Sequence, residues 1–336
     1  MRVVPATDLD DGEFASALAL VQRCEIQLDP AVPPITAEEL RRFIADDRSD
    51  ANVHVRTAAV DGTGTVRAVG HLELETDPGN DHYASAEIFG AAGDPAVGAL
   101  VLADIVERAA ADGRTTLAGW GPDTEAESQF WTGFGATPRY EERISALDVT
   151  AVDADLMAAW IEQRTERADD VELVRWVGPC PAAHRPAFAR SVTAMSYAPT
   201  DVIYINPLTI TEDDVIEMDY ARAGLGYRSR TLFALTPDGD PVGHTTVMVN
   251  PFRPGASWQW DTVVLAAHRE RGIGRWLKSE MWRWLRATEP EVDRLVTGNA
   301  ESNTAMLAIN VAMGYRPAYS FRVWQADLDT YRAALG

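Results

Sequence analysis

A basic turn that contains two glycines is the stretch of this sequence best suited to hold a ligand. It runs from Arg269 to Gly274 and reads R-E-R-G-I-G. An apolar run at 262–265 precedes it, and apolar residues at helical spacing follow it (Trp276, Leu277, Met281, Trp282 and Leu285). Glycine lets the backbone turn tightly and approach a ligand, and the first amides of a helix attract anions. The pattern predicts a phosphate-binding turn between a strand and a helix, with Arg269, Arg271 and Arg275 adding positive charge.

The turn matches neither of the two commonest nucleotide-binding motifs. The chain contains no G-x-G-x-x-G and no G-x-x-x-x-G-K-[ST], so a dinucleotide-binding domain and a P-loop are disfavoured. Taken alone, R-x-x-G-x-G also fits solvated arginines at an ordinary helix start. The surrounding elements therefore decide between the two interpretations.

Hydrophobic periodicity predicts an α/β (α+β) chain of two similar halves around this turn. In the first half we expect helices at 11–27, 37–47, 96–112 and 124–134, and strands at 52–60, 66–75, 83–89, 114–120 and near 138–148. In the second half we expect helices at 182–193, 212–223, 272–287 and 303–313, and strands at 171–176, 230–236, 241–249, 257–265, 292–298 and, as two closing strands, within 317–328. A helix at 151–168, which ends in a charged stretch, separates the halves.

Two short matches indicate that the halves are copies of one domain. The tripeptide V-G-H at 69–71 recurs at 242–244, and 130–138 resembles 309–317, in the same order. Repetition of this kind indicates a tandem fold. We therefore predict domains at 1–150 and 171–336 joined by a linker at 151–170. We interpret the two repeated histidines, His71 and His244, as packing residues.

Only the second half keeps the phosphate turn. At the corresponding place the first half has G-D-P-A-V-G at 93–98, without arginine and with Asp94 where an anion would lie. A carboxylate at that place repels phosphate. The first half is therefore predicted to act as a scaffold or as one wall of a substrate cleft.

The composition indicates an acidic globular protein. The chain has 336 residues, of which 46% are hydrophobic and 24% charged, and a formal net charge of −21. This charge disfavours nucleic acid and anionic membranes as partners, because both need basic surfaces, and it suits a small cationic substrate. No apolar run reaches membrane-spanning length and the first residues lack a signal-peptide pattern, so a cytoplasmic protein is expected. Cys24 and Cys180 form neither a disulfide nor a metal-binding pattern.

The second half resembles the GNAT (GCN5-related N-acetyltransferase) superfamily. The resemblance rests on the strand, turn and helix at 264–277, on N-A-E-S-N at 299–303 and on N-V-A-M-G-Y at 310–315. It covers about 171–328, with a degenerate copy at 1–150, and the layout is similar to that of tandem, mycothiol-synthase-like acetyltransferases. It implies two GNAT-like domains, each with a mixed, mostly antiparallel sheet flanked by helices.

The resemblance also implies an acetyl-CoA site in the second half. The pyrophosphate would lie on the amides of 271–275, and the pantetheine would follow the strand that ends at Val264. A backbone amide near Val264 would polarise the thioester carbonyl. The implied cofactor-binding residues are Val263, Val264, Leu265, Arg269, Glu270, Arg271, Gly272, Ile273, Gly274, Arg275, Asn299, Asn303 and Asn310.

The acid and the base of the reaction do not follow directly from the family pattern. Asn310 stands where many members have a tyrosine that protonates the leaving thiolate, and an amide cannot supply that proton. Tyr315, Tyr319 or a water remain as alternatives. For the base that deprotonates the amine, Asp261 is the first candidate and Glu301 the second, since Trp258 occupies the position of the glutamate base of several relatives.

We therefore expect an acetyl-CoA-dependent N-acetyltransferase that moves an acetyl group directly to a primary amine of a small molecule in a ternary complex. Tyr197, Trp258 and Trp260 are the expected substrate-binding residues, and no metal is expected. Two alternatives stay open, a protein or peptide N-acetyltransferase and a non-catalytic CoA-binding sensor or scaffold. The oligomeric state is left open as well.

Overall fold

The structure is a computed structural model that describes residues 1–49, 52–77, 79–168, 170–195 and 206–336. Backbone contacts divide the chain into two compact units. The first contains Met1–Glu142 and, from the other end of the chain, Tyr319–Gly336. The second contains 143–195 and Pro207–Ala318. The boundary between the units lies between Glu142 and Arg143, and Asn206 belongs to the first unit.

The chain contains strands and helices, several of them in consecutive runs. The strands are β1 (Arg2–Pro5), β2 (Arg48–Ser49), β3 (Asn52–Val60), β4 (Val66–Leu74), β5 (Tyr83–Phe89), β6 (Thr116–Pro122), β7 (Thr137–Asp148), β8 (Glu172–Val177), β9 (Arg228–Leu235), β10 (Pro241–Val249), β11 (Ser257–Val264), β12 (Arg294–Ala300) and β13 (Arg316–Asp327). The helices are α1 (Asp11–Leu28), α2 (Ala37–Ala45), α3 (Pro95–Ala111), α4 (Glu125–Gly133), α5 (Ala154–Arg167), α6 (Arg185–Thr193), α7 (Glu212–Gly224), α8 (Ile273–Thr288), α9 (Thr304–Met313) and α10 (Leu328–Leu335). Among the described residues, no helix combines the length and the apolar character needed to cross a membrane.

The first unit is built on a mixed, mostly antiparallel sheet. Its strand order is β1-β3-β4-β5-β6-β13. β5 and β6 are parallel, and the other neighbours are antiparallel. Helices α3, α4 and α10 bury apolar side chains against it, among them Val101, Leu102, Ile105, Trp131 and Tyr331.

The second unit repeats this plan with the order β12-β11-β10-β9-β8. β11 and β12 are parallel, and the other neighbours are antiparallel. Along β9, Leu232 and Ala234 belong to the core with α5 and α8, whereas Phe233 and Leu235 belong to the core with α6 and α7. Because side chains alternate along a strand, the sheet has helices on both faces. The predicted mixed, mostly antiparallel sheets flanked by helices are confirmed.

Local sequence explains where several helices begin. Asp10 with Glu13, Thr36 with Glu39 and Thr211 with Asp214 form capping boxes at α1, α2 and α7. Residues 151–170, predicted as a linker, contain α5, whose Met157 and Trp160 lie in the same core as α8.

One sequence-based expectation about elements is wrong, and the elements α10 and β1 were not predicted. The two closing strands expected within 317–328 are one strand, β13, and α10 follows it. The short helix α10 buries Leu328 and Tyr331, three residues apart, which is too brief a pattern to stand out in the sequence. The strand β1 at the start of the chain was also not predicted; it pairs with β3.

Candidate functional site

The predicted phosphate turn leads into α8 through two left-handed backbone conformations. Glu270 has φ 65°, and it is the only non-glycine residue with positive φ in the described part of the chain. Gly272 has φ 79° and is the N-cap of α8, without a side-chain capping bond. The first amides of a helix have no intrahelical partner, and no side chain occupies them here. The turn therefore presents a strained loop and open helix amides to an anion.

The arginines of the turn are held by neighbouring groups. Arg269 donates its Nε to the Val264 carbonyl across 3.1 Å. Arg271 is paired with Asp170 and lies 3.3 Å from the His268 ring nitrogen. Arg275 lies over the Trp160 ring, 5.7 Å from its centroid. These contacts fix the positive charges around the helix start.

The strand before the turn separates from its parallel neighbour. β11 pairs with β12 only at Ser257 with Leu295 and at Trp258 with Val296. Beyond Trp258 the strand runs on to Val264 without a further paired residue on β12. The divergence opens a wedge that ends at the phosphate turn, with one edge of β11 facing it.

A β-bulge interrupts β11 where the wedge opens. The β10 register pairs Thr245 with Thr262 but Val247 with Gln259, so Trp260 and Asp261 stand opposite the single residue Thr246. The buried Gln259 amide nitrogen lies 3.0 Å from Thr245 Oγ1, 3.0 Å from the Thr246 carbonyl and 3.3 Å from the Asp261 carbonyl. These hydrogen bonds replace the ladder bonds that a bulge loses.

Asp261, the first candidate for the base, lies in this bulge beside a buried histidine. Its side chain is 18% exposed, and its Oδ2 lies 3.8 Å from Nε2 of His244. The His244 ring is fully buried, and its Nδ1 lies 2.7 Å from the Ser191 hydroxyl on α6. The carboxylate is thus open to a ligand on one side and backed by the imidazole on the other.

Glu301, the second candidate for the base, is engaged elsewhere. Its two carboxylate oxygens lie 2.6 and 2.8 Å from Nε and a terminal nitrogen of Arg143. A two-point pair of this kind is strong and directional, so deprotonating an amine competes with it. Asn303 caps α9, where its side chain accepts from the Met306 amide across 3.3 Å.

Asn310, on α9, faces the strand β12. It is 2% exposed, and its side-chain amide donates to Asn299 Oδ1 on β12 across 2.7 Å. The Asn310 Oδ1 has no hydrogen-bond partner among the described residues. Tyr315 is buried, which raises the pKa of its phenol, and it lies beside Lys278, 5.2 Å from ring centroid to Nζ.

Lys278 is the only lysine of the chain and is buried in α8. Burial lowers the pKa of its amine to about 7.

The predicted substrate-binding residues differ in their exposure to solvent. Trp260 is 44% exposed in the bulge, Trp258 is half-buried on β11, and Tyr197 lies outside the described residues.

The first unit lacks the uncapped turn, the wedge between parallel strands and the β-bulge of the second unit. Asp94 caps α3, accepting from the Val97 amide across 3.4 Å, and it also pairs with Arg67. β5 and β6 stay paired from Tyr83 to Glu87. β4 and β5 run in register without a bulge. The first unit therefore has a capped helix and a closed sheet where the second has an open turn and a wedge.

Solved structures of other proteins match this chain over nearly its whole length. A tandem GNAT protein from the clavulanic acid biosynthesis pathway, determined without AcCoA, superimposes with a TM-score of 0.76 and 20% sequence identity over 97% of this chain and 98% of its own. The chain has the tandem GNAT fold. A GCN5-related N-acetyltransferase from Sphaerobacter thermophilus gives a TM-score of 0.68 and 14% identity over 97% of this chain and 95% of its own. No family model and no curated protein sequence matches the chain.

The tandem GNAT fold accounts for the repeated sequence matches. The difference between the open turn of the second unit and the capped helix of the first is not explained by the repeat. The sequence singled out the turn, Asp261 and Asn310. It interpreted His244 as a packing residue, and it did not indicate Gln259 or Ser191. The contacts of Gln259 and Ser191 depend on the strand register and on the packing of α6, which the sequence alone does not reveal. The V-G-H repeat at 242–244 was the one available signal.

Proposed function

We propose that this tandem GNAT chain is an acetyl-CoA-dependent N-acetyltransferase with one working site, in its second unit. The acetyl group would pass directly to the primary amine of a small molecule in a ternary complex. The observation behind this proposal is the uncapped, left-handed turn at the start of α8, which continues into the wedge between β11 and β12.

The chemistry of the turn and the wedge fits acetyl-CoA. A pyrophosphate needs amide donors and positive charge, which the α8 amides and the surrounding Arg269, Arg271 and Arg275 would provide. A pantetheine arm needs a free strand edge, which β11 has beyond Trp258. Bound acetyl-CoA supplies the activated acetyl group. The Leu265 amide donates to the Val242 carbonyl across 2.9 Å, so a backbone donor to the thioester carbonyl would come from the bulged part of β11.

Asp261 is the residue we assign as base. It is half-buried at the bulge, its carboxylate is not held in an ion pair with an arginine in the described part of the chain, and it lies on the strand that borders the wedge. Trp258 and Trp260 on the same strand would shield the amine. Glu301 remains the second candidate, since its pair with Arg143 is partly exposed.

The acid role has no side chain assigned to it. Asn310 cannot supply a proton, and its buried amide is bonded to Asn299. We propose that solvent protonates the leaving thiolate.

Calorimetry with acetyl-CoA tests the single site. We expect one molecule per chain, an at least 10-fold weaker dissociation constant for Arg271→Glu, and an unchanged constant for Asp94→Ser, which keeps the α3 cap. Two molecules per chain, or equal loss in both variants, would contradict the proposal. Because Arg271 and Asp94 lie in the corresponding turns of the two units, the two variants show which unit holds the ligand.

Thiol release from acetyl-CoA with a library of small amines and a set of peptides then tests turnover. Acetylation of a small amine supports the proposal, and acetylation of peptides alone supports a protein N-acetyltransferase. Binding of acetyl-CoA without acetylation of any amine or peptide would identify a CoA-binding sensor. Asn310 in place of the usual tyrosine is the feature that makes this alternative worth testing.

A further inference from the structure

We infer that His244 is a positioning residue for the reaction, holding the Asp261 carboxylate through its Nε2–H while Ser191 holds the ring from behind. This inference rests on the proposed function, because it assigns a role next to the proposed base. It replaces the packing role that the sequence repeat suggested.

Because the His244 ring is buried, each of its nitrogens needs a partner within the protein. His244 is fully buried, and so is Ser191. The His244 Nδ1 is satisfied by the Ser191 hydroxyl at 2.7 Å. Its Nε2 has no hydrogen-bond partner among the described residues, and 3.8 Å away stands Oδ2 of Asp261. A buried polar atom is rarely left without a partner, so the direction in which this nitrogen points is significant.

The tautomer follows from the charge of Asp261. If Nδ1 carried the proton, the Nε2 lone pair would face a carboxylate and be repelled by it. If the Ser191 hydroxyl donates to Nδ1, the proton sits on Nε2 and faces the carboxylate, which is attractive. The 3.8 Å separation exceeds a hydrogen bond, so in this structure the attraction is electrostatic, between the N–H and the carboxylate across that distance.

The fold holds the two partners from different sides. Ser191 and Phe188 come from α6, and the Phe188 ring meets the His244 ring edge-on with 4.9 Å between centroids. Asp261 is displaced toward the ring by the bulge that Gln259 bridges. Phe233 on β9 stands opposite His244, and beyond it His184 lies 6.4 Å from that ring. Four arginines also lie on these elements, Arg185 and Arg190 on α6 and Arg228 and Arg230 on β9, and they contact Cys180, Asp240 and Glu289 rather than His244.

The first unit shows what the same histidine does without this arrangement. His71 occupies the repeat position, but its Nε2 lies 2.8 Å from the His54 ring nitrogen. The pairing of β4 with β5 has no bulge and places Glu87 directly opposite His71, but the partner of the His71 ring is His54. His71 is therefore a matched control for the packing role alone.

The role predicts a specific set of proton movements. The attacking amine gives its proton to Asp261 as the N–C bond forms and the C–S bond breaks. His244 neither gains nor loses a proton. It keeps one carboxylate oxygen occupied so that the other faces the amine, and its N–H stabilises the ionised form of Asp261.

Two measurements test the inference. Nitrogen-15 spectra of the histidine rings, assigned by His244→Phe among the six histidines, report the tautomer without any substrate, and we expect the proton on Nε2. For kinetics, His244→Phe keeps the aromatic contact with Phe188 and removes both nitrogens. We expect kcat to fall about 100-fold, with the KM for acetyl-CoA within twofold.

The pH profile separates positioning from packing. The acid limb of kcat/KM reports the essential base of the free enzyme, and it should move to higher pH in His244→Phe because a carboxylate base loses its N–H donor. Ser191→Ala, which is less disruptive should the histidine variant fail to fold, should move it in the same direction by less. His71→Phe should leave kcat and the acid limb unchanged.

A proton on Nδ1, or an unchanged kcat and acid limb in His244→Phe, would overturn the role of His244 and leave the proposed function intact. A wild-type protein that acetylates no amine would overturn the proposed function and with it the catalytic role. The tautomer would still report on the contact between His244 and Asp261, so the two failures are distinguishable.

Discussion

Asn310 and Asn299 join α9 to β12 through one hydrogen bond of 2.7 Å between their side chains. The donor is 2% exposed and stands where many GNAT proteins have a tyrosine. A phenol at this position would need to extend toward a ligand, whereas the shorter amide reaches only the neighbouring strand. The pair therefore contributes to the packing of α9 against β12 beside the wedge.

Asn310→Asp should destabilise the protein in a pH-dependent way. The new carboxylate would face the Asn299 oxygen from a buried site, so its folded pKa would lie above the unfolded value of about 3.9. Near pH 7 we expect a loss of about 2–4 kcal/mol in the free energy of unfolding. The loss should shrink as the pH falls toward 4, because the protonated acid can donate to Asn299.

Urea unfolding at several pH values measures this loss. Asn303→Asp is the matched control, since it makes the same change at the N-cap of the same helix, where a carboxylate is favoured. We expect it to be neutral or slightly stabilising near pH 7. Equal losses in both variants would show that the bond to Asn299 is not the cause.

Gln259→Leu should cost stability because the bulge depends on the Gln259 amide. The change leaves the Thr246 carbonyl and the Thr245 hydroxyl without this donor, which costs about 1–3 kcal/mol. It should also lower kcat more than it raises the KM for acetyl-CoA, because Asp261 lies in the bulge.

Gln325→Leu offers the matched comparison in the first unit. Gln325 is 3% exposed, and neither of its side-chain polar atoms has a partner among the described residues. The same substitution should there be neutral or stabilising. Chemical denaturation of both variants decides the matter, and a Gln325→Leu variant as unstable as Gln259→Leu would argue against the amide contacts.

Lys278→Met should stabilise the protein, most strongly at or below pH 7. The amine has a folded pKa of about 7 against an unfolded value of about 10.4, so between these limits the unfolded state binds more protons and wild-type stability rises with pH. At about 1.4 kcal/mol per pKa unit, the gain of the variant is at most about 5 kcal/mol. It should fade as the pH approaches 10, and a pH-independent gain in thermal or urea unfolding would contradict a buried titrating amine.

Glu270→Gly should relieve the strain of the phosphate turn. A non-glycine residue at positive φ costs about 1–2 kcal/mol, and glycine loses part of that gain through its larger unfolded-state entropy. We expect an increase of up to about 1 kcal/mol in the free energy of unfolding. Gly272→Ala, with φ 79°, should lose about 1 kcal/mol, and an opposite order in urea unfolding would show that the turn is not strained as described.

The sequence predicted best where structure is local. The helix after Thr36 and the strand at 241–249 follow from capping and from apolar patterning, which act over a few residues. The wedge, the bulge at Trp260 and Asp261 and the contact of Asp261 with His244 depend on strand register and on which helix covers which face. Those depend on residues far apart in the chain, so one sequence does not reveal them. The same holds for β13, which starts in the second unit and pairs with β6 of the first.

The burial of Lys278 has a chemical consequence for any work with thioesters or activated esters. Because the chain has no other lysine, no lysine side chain is open to an amine-reactive reagent while α8 is folded. Labelling of lysine by acetyl-CoA or by an amine-reactive dye would therefore directly report unfolding around α8.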